Sequence, residues 1–348
     1  MKYEQSNQYG HPLESELPHE IQLIEAWTEH YYFWFYDPKI EMGMYFHMSR
    51  TLADRNMWRP VFVMFMPDQQ FLSTTLHGND GDRLGPGAGG LKLNCIEPHR
   101  SWSIHFDGVG ARSSRAELMN GLLSARPAEP VRFSLFFDGA APNFGKHVWG
   151  KSNVFSFHTE QIAKVRGHIC HDGKIIHVDG VGVRDHSSGP RHVAAIIGYI
   201  WFQCLFEDGD AIMVTVAHFE KQEVKSAYYY QAGADKNEEL RIVEHPAVVG
   251  ADSAKGALHR DPLADEGREF VFRLARDNGE QIILQGTMFT SPAITLTAPM
   301  NEYPGTGVGE GVQIAAGVAR VRWNKKIGYA NRERAARLGF LTTPSPKG

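Results

Sequence analysis

Three times along the chain a turn dipeptide stands between two apolar, strand-favouring runs. Asp172-Gly173 separates Ile162–Cys170 from Lys174–Val178, Asp208-Gly209 separates Val193–Phe206 from Ala211–Phe219, and Asn278-Gly279 separates Glu269–Ala275 from Gln281–Phe289. A glycine after Asp or Asn supplies the positive φ that a tight hairpin needs, so the pattern specifies antiparallel pairing. Asp107-Gly108 and Asp138-Gly139 end apolar runs and read as further turns. Arg59–Met66, Gln70–His77, Gly90–Glu97, Ser101–Phe106 and Val131–Phe137 add strands. Helical periodicity is scarce, and its best candidates are Ala116–Leu123 and Asn331–Leu338. The expected class is all-β and mainly antiparallel, with few short helices. One sheet of so many strands must close or split, so 348 residues are most economically two barrel-like halves meeting near residue 190. The expected boundaries are a lead-in over 1–19, barrels over 20–190 and 191–340, and a tail over 341–348.

Charge and motif content remove several function classes. A net charge of -4 leaves no basic stripe to neutralise phosphates, so no nucleic-acid partner is expected. Three dispersed cysteines, Cys95, Cys170 and Cys204, form no CxxC and point to a reducing compartment. The first residues lack an apolar signal region, and no apolar window is long enough to span a bilayer, so a cytoplasmic protein without stable membrane insertion is expected. Seventeen histidines invite a metal, but His99, His105, His158, His168, His171 and His177 make no HExxH or HxH pair, and no metal site is expected. Gly85–Gly90 and Gly305–Gly309 lack the Gly-Lys-Ser/Thr ending of a phosphate loop. No GxSxG elbow or Cys-His pairing supports covalent catalysis.

Aromatic residues carry more information. Tyr31-Tyr32-Phe33-Trp34-Phe35-Tyr36 is a β-favouring run that needs cover on both faces, and Asp37-Pro38 ends it. With Trp27, Trp102, Trp149, Trp201, Phe202 and Tyr228–Tyr230, these side chains fill or line barrel interiors. A barrel so lined holds an apolar ligand and can stabilise a developing carbocation. Tyr36, Trp102, Trp149 and Trp201 are the expected lining, and Arg191 is grouped with them as a substrate contact.

Near the middle runs Val178-Asp179-Gly180-Val181-Gly182-Val183-Arg184-Asp185-His186-Ser187-Ser188-Gly189-Pro190-Arg191, too polar for an ordinary buried strand. An Asp-His pair among apolar strands is where acid/base chemistry is expected, and a salt-bridged turn in which Arg184 or Arg191 neutralises Asp185 is the plain alternative. If the strand continues, alternation puts Arg184 and Asp185 on opposite sides.

Gln161–Ile169, Asp172-Gly173 and the Gly180–Arg191 motif together resemble the signature of the carotenoid 1,2-hydratase and AttH-like superfamily, and Tyr36-Asp37-Pro38 is similar to its aromatic N-terminal segment. The resemblance implies two consecutive lipocalin-like β-barrels. It also implies cofactor-free addition of water to isolated alkenes, or cycloaddition of polyenes in some relatives. Asp185 matches the aspartate that protonates the double bond, and His186 the residue beside it. Ser187 and Ser188 depart from the Asn and Trp common in the carotenoid enzymes. The expectation is a cofactor-independent hydratase, dehydratase or isomerase acting on a hydrophobic terpenoid or aromatic alkene, with Asp185 as general acid or base and His186 assisting. The alternatives are a carrier of an apolar ligand and a pericyclase-like enzyme that works by cavity shape. The expected partner is a hydrophobic small molecule. A homodimer is compatible with the sequence and not specified by it.

Overall fold

The aromatic run becomes a strand buried from end to end, β1 (Trp27–Asp37), with both of its faces covered. The computed structural model describes residues 7–114, 117–118, 127–144, 157–190, 196–219, 223–246, 248, 268–290, 293–296 and 312–337. The chain divides into two units, Met1–Arg191 and His192–Gly348.

In the first unit β1 is followed by β2 (Met42–Thr51), β3 (Arg59–Phe65), β4 (Phe71–Thr75), β5 (Gly87–Ala88), β6 (Leu91–Glu97), β7 (Ser101–Ser113), β8 (Ala128–Gly139), β9 (Phe157–His171) and β10 (Lys174–Pro190). The sheet runs β4-β3-β2-β1-β10-β9-β8-β7-β6-β5, and β4 also pairs with β7, which closes eight strands into a barrel. Every pairing is antiparallel, and β10 lies between β1 and β9. The β9–β10 turn is the expected hairpin: Asp172 and Gly173 take φ of 51° and 70°, the left-handed pair that a two-residue turn demands. The barrel is filled rather than hollow along its aromatic layers, with Phe33 against Phe137 and Phe62 against Phe106, each pair 5.0 Å between centroids.

The second unit repeats the plan with β11 (Ile196–Phe206), β12 (Ala211–Phe219), β13 (Glu223–Tyr230), β14 (Glu238–Glu244), β15 (Glu269–Ala275), β16 (Gln281–Thr290), β17 (Ala293–Leu296), β18 (Val312–Trp323) and β19 (Lys326–Arg337). Its order is β16-β15-β14-β13-β12-β11-β19-β18-β17, and the β16–β18 pairing closes a second eight-stranded barrel around Phe202, Phe206, Phe270 and Phe272. The all-β, antiparallel, twin-barrel class is therefore what the chain adopts.

Two local expectations need correction. Asn331–Leu338, read as helical, belongs to β19 as far as Arg337, because β11 and β18 pair with it on both sides and outweigh its helix-forming composition. Asp107-Gly108 does not turn the chain; it lies inside β7, opposite Arg132 and Val131. Of the helix expected over Ala116–Leu123, only residues 117 and 118 are described. Among the described residues no helix is long and apolar enough to cross a membrane.

Candidate active site

β10 carries the polar motif through the sheet, and strand alternation sorts it into two faces. Cross-strand partners identify them: His186 lies opposite Tyr31, Arg184 opposite Phe33 and Gly182 opposite Phe35, all core-facing, whereas Asp185 lies opposite Tyr32 and Val183 opposite Trp34. Arg184 and His186 thus enter the barrel, and Asp185 lies on its outer side.

On that outer side Asp185 remains buried, at 8% exposure. Its Oδ2 is hydrogen-bonded to His158 Nε2, and the same Nε2 is 3.4 Å from Glu160 Oε1. The register explains the grouping, since β9 sets Glu160 opposite Asp185 and His158 opposite Ser187. The three donor atoms lie within 4.8 Å of one another, so the cluster can move a proton or hold a cation. Tyr32, Trp34, Tyr36 and Tyr45 line the same buried face, with Tyr32 edge-on to Tyr45 at 5.4 Å. Trp34 Nε1 is buried there with no acceptor among the described residues, and a buried orphan donor of this kind is uncommon.

Inside the barrel the charges pair off. Glu16, brought in by a 3-10 turn at Leu13–Glu16, meets Arg184 Nη1 at 2.6 Å and accepts from Trp102 Nε1 at 2.9 Å. Burial alone would raise its carboxyl, but the Arg184 guanidinium, His99 and Trp102 hold it far below the usual range. Arg184 Nε donates to Gln161 Oε1 at 2.9 Å. Towards the end of β1 near Trp27, Glu29 accepts from His186 Nε2 at 3.0 Å, from the His19 backbone N–H at 2.7 Å and from Arg50 Nε at 2.8 Å. Burial opposes ionisation of Glu29 too, yet His186 and Arg50 lower its carboxyl overall. His186 stacks flat on Tyr31 at 4.0 Å, and its Nδ1 has no partner among the described residues. Burial, with His186 alongside, pushes His19 down to about 4.

The residues singled out from the sequence therefore separate. Asp185 and Tyr36 share the outer face of the first barrel. His186 and Trp102 are inside it, Trp102 as a donor to Glu16. Trp201 belongs to the second unit, where its neighbours Ile200 and Phe202 face the core. Trp149 and Arg191 lie outside the described residues. Surface grooves of about 400 Å³ beside Arg132 and Lys174, and about 340 Å³ beside Arg320 and Arg322, contain none of these residues. Sequence reasoning missed Glu160, Glu16 and Glu29, and weighed His158 only for metal. The available signal was the register: a β9–β10 hairpin turning at Asp172-Gly173 already places residue 160 opposite residue 185.

A family model described as a domain of unknown function, DUF7064, matches residues 12–333. No curated protein matches the sequence. Among solved structures, a Nitrosomonas europaea protein described as a candidate AttH aligns with a TM-score of 0.51 at 11% identity, covering 97% of each chain. CghA with Sch210972 aligns at 0.52 and 12% identity over 89% of each chain. Kievitone hydratase from Nectria haematococca aligns at 0.49 and 9% identity over 89% of this chain and 88% of its own.

Proposed function

This chain belongs to the DUF7064 family, and we propose that it is an enzyme using Asp185, with His158 and Glu160, for acid–base chemistry on an alkene of an apolar small molecule. The observation that carries this reading is the buried His158–Asp185–Glu160 cluster on an aromatic sheet face, with the guanidinium of Arg184 on the opposite side of the strand. The Arg184 guanidinium is engaged by Glu16 inside the barrel, and the Asp185 carboxyl is left to His158. CghA, which shares the fold, has a crystal structure with Sch210972, in keeping with a bound substrate here.

The chemistry balances with protein groups alone. Asp185 delivers a proton to one alkene carbon, and the cation left on the other is stabilised by the π faces of Tyr32, Trp34 and Tyr36. Water adds to the cation, and the proton it sheds returns through His158 to Asp185. Run backwards the sequence is dehydration; loss of a neighbouring C–H proton in place of water addition moves the double bond. The free Trp34 N–H is a donor for a substrate oxygen. In this scheme His158 takes the assisting role expected of His186, which is turned into the barrel.

The test is turnover of a panel of terpenoid and prenylated aromatic alkenes, followed as gain or loss of one water, or as an isomer, by mass spectrometry. Asp185→Asn should lower turnover by about 10²–10⁴-fold while melting as the wild type does. Wild-type turnover by a folded Asp185→Asn variant would refute the acid role and leave catalysis by cavity shape; binding without product from any alkene would leave a carrier.

A further inference from the structure

We propose that His218, Glu223 and His245 form a site for one zinc ion at an end of the second barrel. His218 is the penultimate residue of β12 and Glu223 opens β13, and the two are direct partners across that hairpin. His218 follows Val214 and Val216 in alternation, so it shares their core-facing side at the rim. His245 comes immediately after β14, which pairs with β13. His218 Nε2 is 2.9 Å and His245 Nε2 3.7 Å from Glu223 Oε1, and all three donor atoms lie within 4.8 Å of one another.

The surrounding contacts orient these atoms as ligands. His245 Nδ1 is 2.8 Å from the Pro246 carbonyl, which can only accept, so Nδ1 carries the proton and the neutral ring keeps its lone pair on Nε2. That lone pair faces a carboxylate oxygen, so one metal ion placed between them would bind both. Lys225 Nζ holds the other carboxylate oxygen of Glu223 at 2.6 Å, which leaves Oε1 to the histidines. Two imidazoles and one carboxylate are a zinc donor set, softer than magnesium or calcium prefers, with the fourth position left to water.

Two other groupings of this kind occur among the described residues. In His19, Glu29 and His186, both His19 nitrogens are taken, by Ser188 Oγ and the Ser15 carbonyl, and Arg50 bears on the carboxylate. His158, Glu160 and Asp185 are the acid–base cluster above. Positions 218, 223 and 245 follow no metal motif, so nothing in the chain order announces the site.

The experiment is a titration of untagged, chelator-stripped full-length protein with Co²⁺, followed by visible absorption, and with Zn²⁺, followed by calorimetry. One saturable equivalent is expected. His218→Ala and His245→Ala should each weaken it at least tenfold, and Asp185→Asn should leave it unchanged, which separates this site from the proposed catalytic one. The absence of saturable binding up to millimolar Co²⁺, or binding that persists in both histidine variants, would overturn the proposal. Histidine→Gln variants replace any alanine variant whose far-ultraviolet circular dichroism shows that it has not folded.

Discussion

Arg184, Asp185 and His186 are consecutive, and three different surroundings receive them. Alternation alone predicts that the middle residue parts from its neighbours, and this much of the candidate site was legible. What each meets was not, because Glu16 and Glu29 come from far away in the chain. Glu16 in particular sits in a polar, proline-flanked segment with no periodicity to betray a buried residue. Its carboxylate is fully enclosed with Arg184, and removing one member of a buried ion pair leaves the other charge without compensation. Glu16→Gln should therefore cost about 3–5 kcal/mol in urea unfolding. Replacing both partners by methionine should recover much of that loss. A Glu16→Gln variant as stable as the wild type would show that the pair does not hold the N-terminal segment in the barrel.

At the scale of the elements, β10 carries the motif that reads as too polar for a buried strand, and it pairs with β1 and β9 without a register shift. Its glycines help to explain why. Gly182 faces the core between Phe35 and Ala163, and a Cβ there would come within 2.4 Å of Val165 Cγ2 and 2.8 Å of the Trp34 carbonyl oxygen. The small residue leaves room for the surrounding rings, including Phe137. Gly182→Ala should destabilise the first barrel by about 1–3 kcal/mol, since one of the clashing atoms is backbone and cannot rotate away. Denaturant midpoints measure this, and an unchanged midpoint would mean that the strand relaxes more freely than its packing suggests. The hairpins were readable because an Asp-Gly or Asn-Gly turn is decided locally. β19 was not, because its identity as a strand comes from the two partners flanking it, and Asn-Arg-Glu-Arg-Ala-Ala-Arg taken alone prefers a helix.

Across the whole molecule the two barrels share a plan but not an electrostatic one, and acid should tell them apart. His19 has an unfolded value near 6.5 and a folded one of about 4, because burial and the adjacent His186 oppose its charge. Between those values the unfolded chain binds the extra proton, so stability falls as pH falls. At about 1.4 kcal/mol per tenfold, this amounts to at most ~3 kcal/mol by pH 4. Glu16 and Glu29, both held below 4.5, act in the same direction from there downwards. All three groups belong to the first unit. In the second, the lowered carboxyl of Asp208 is felt only below its ordinary 3.8. Hydrogen exchange followed by mass spectrometry at pH 7 and pH 4.5, corrected for the intrinsic rate, should show β1, β2 and β10 losing protection while β11, β12 and β19 keep theirs. His19→Gln should abolish most of the difference above pH 4.5, because an amide cannot take up the proton. Equal loss in both barrels, or an undiminished loss in the His19→Gln variant, would place the acid sensitivity elsewhere than in the cluster that joins His19, Glu29 and His186.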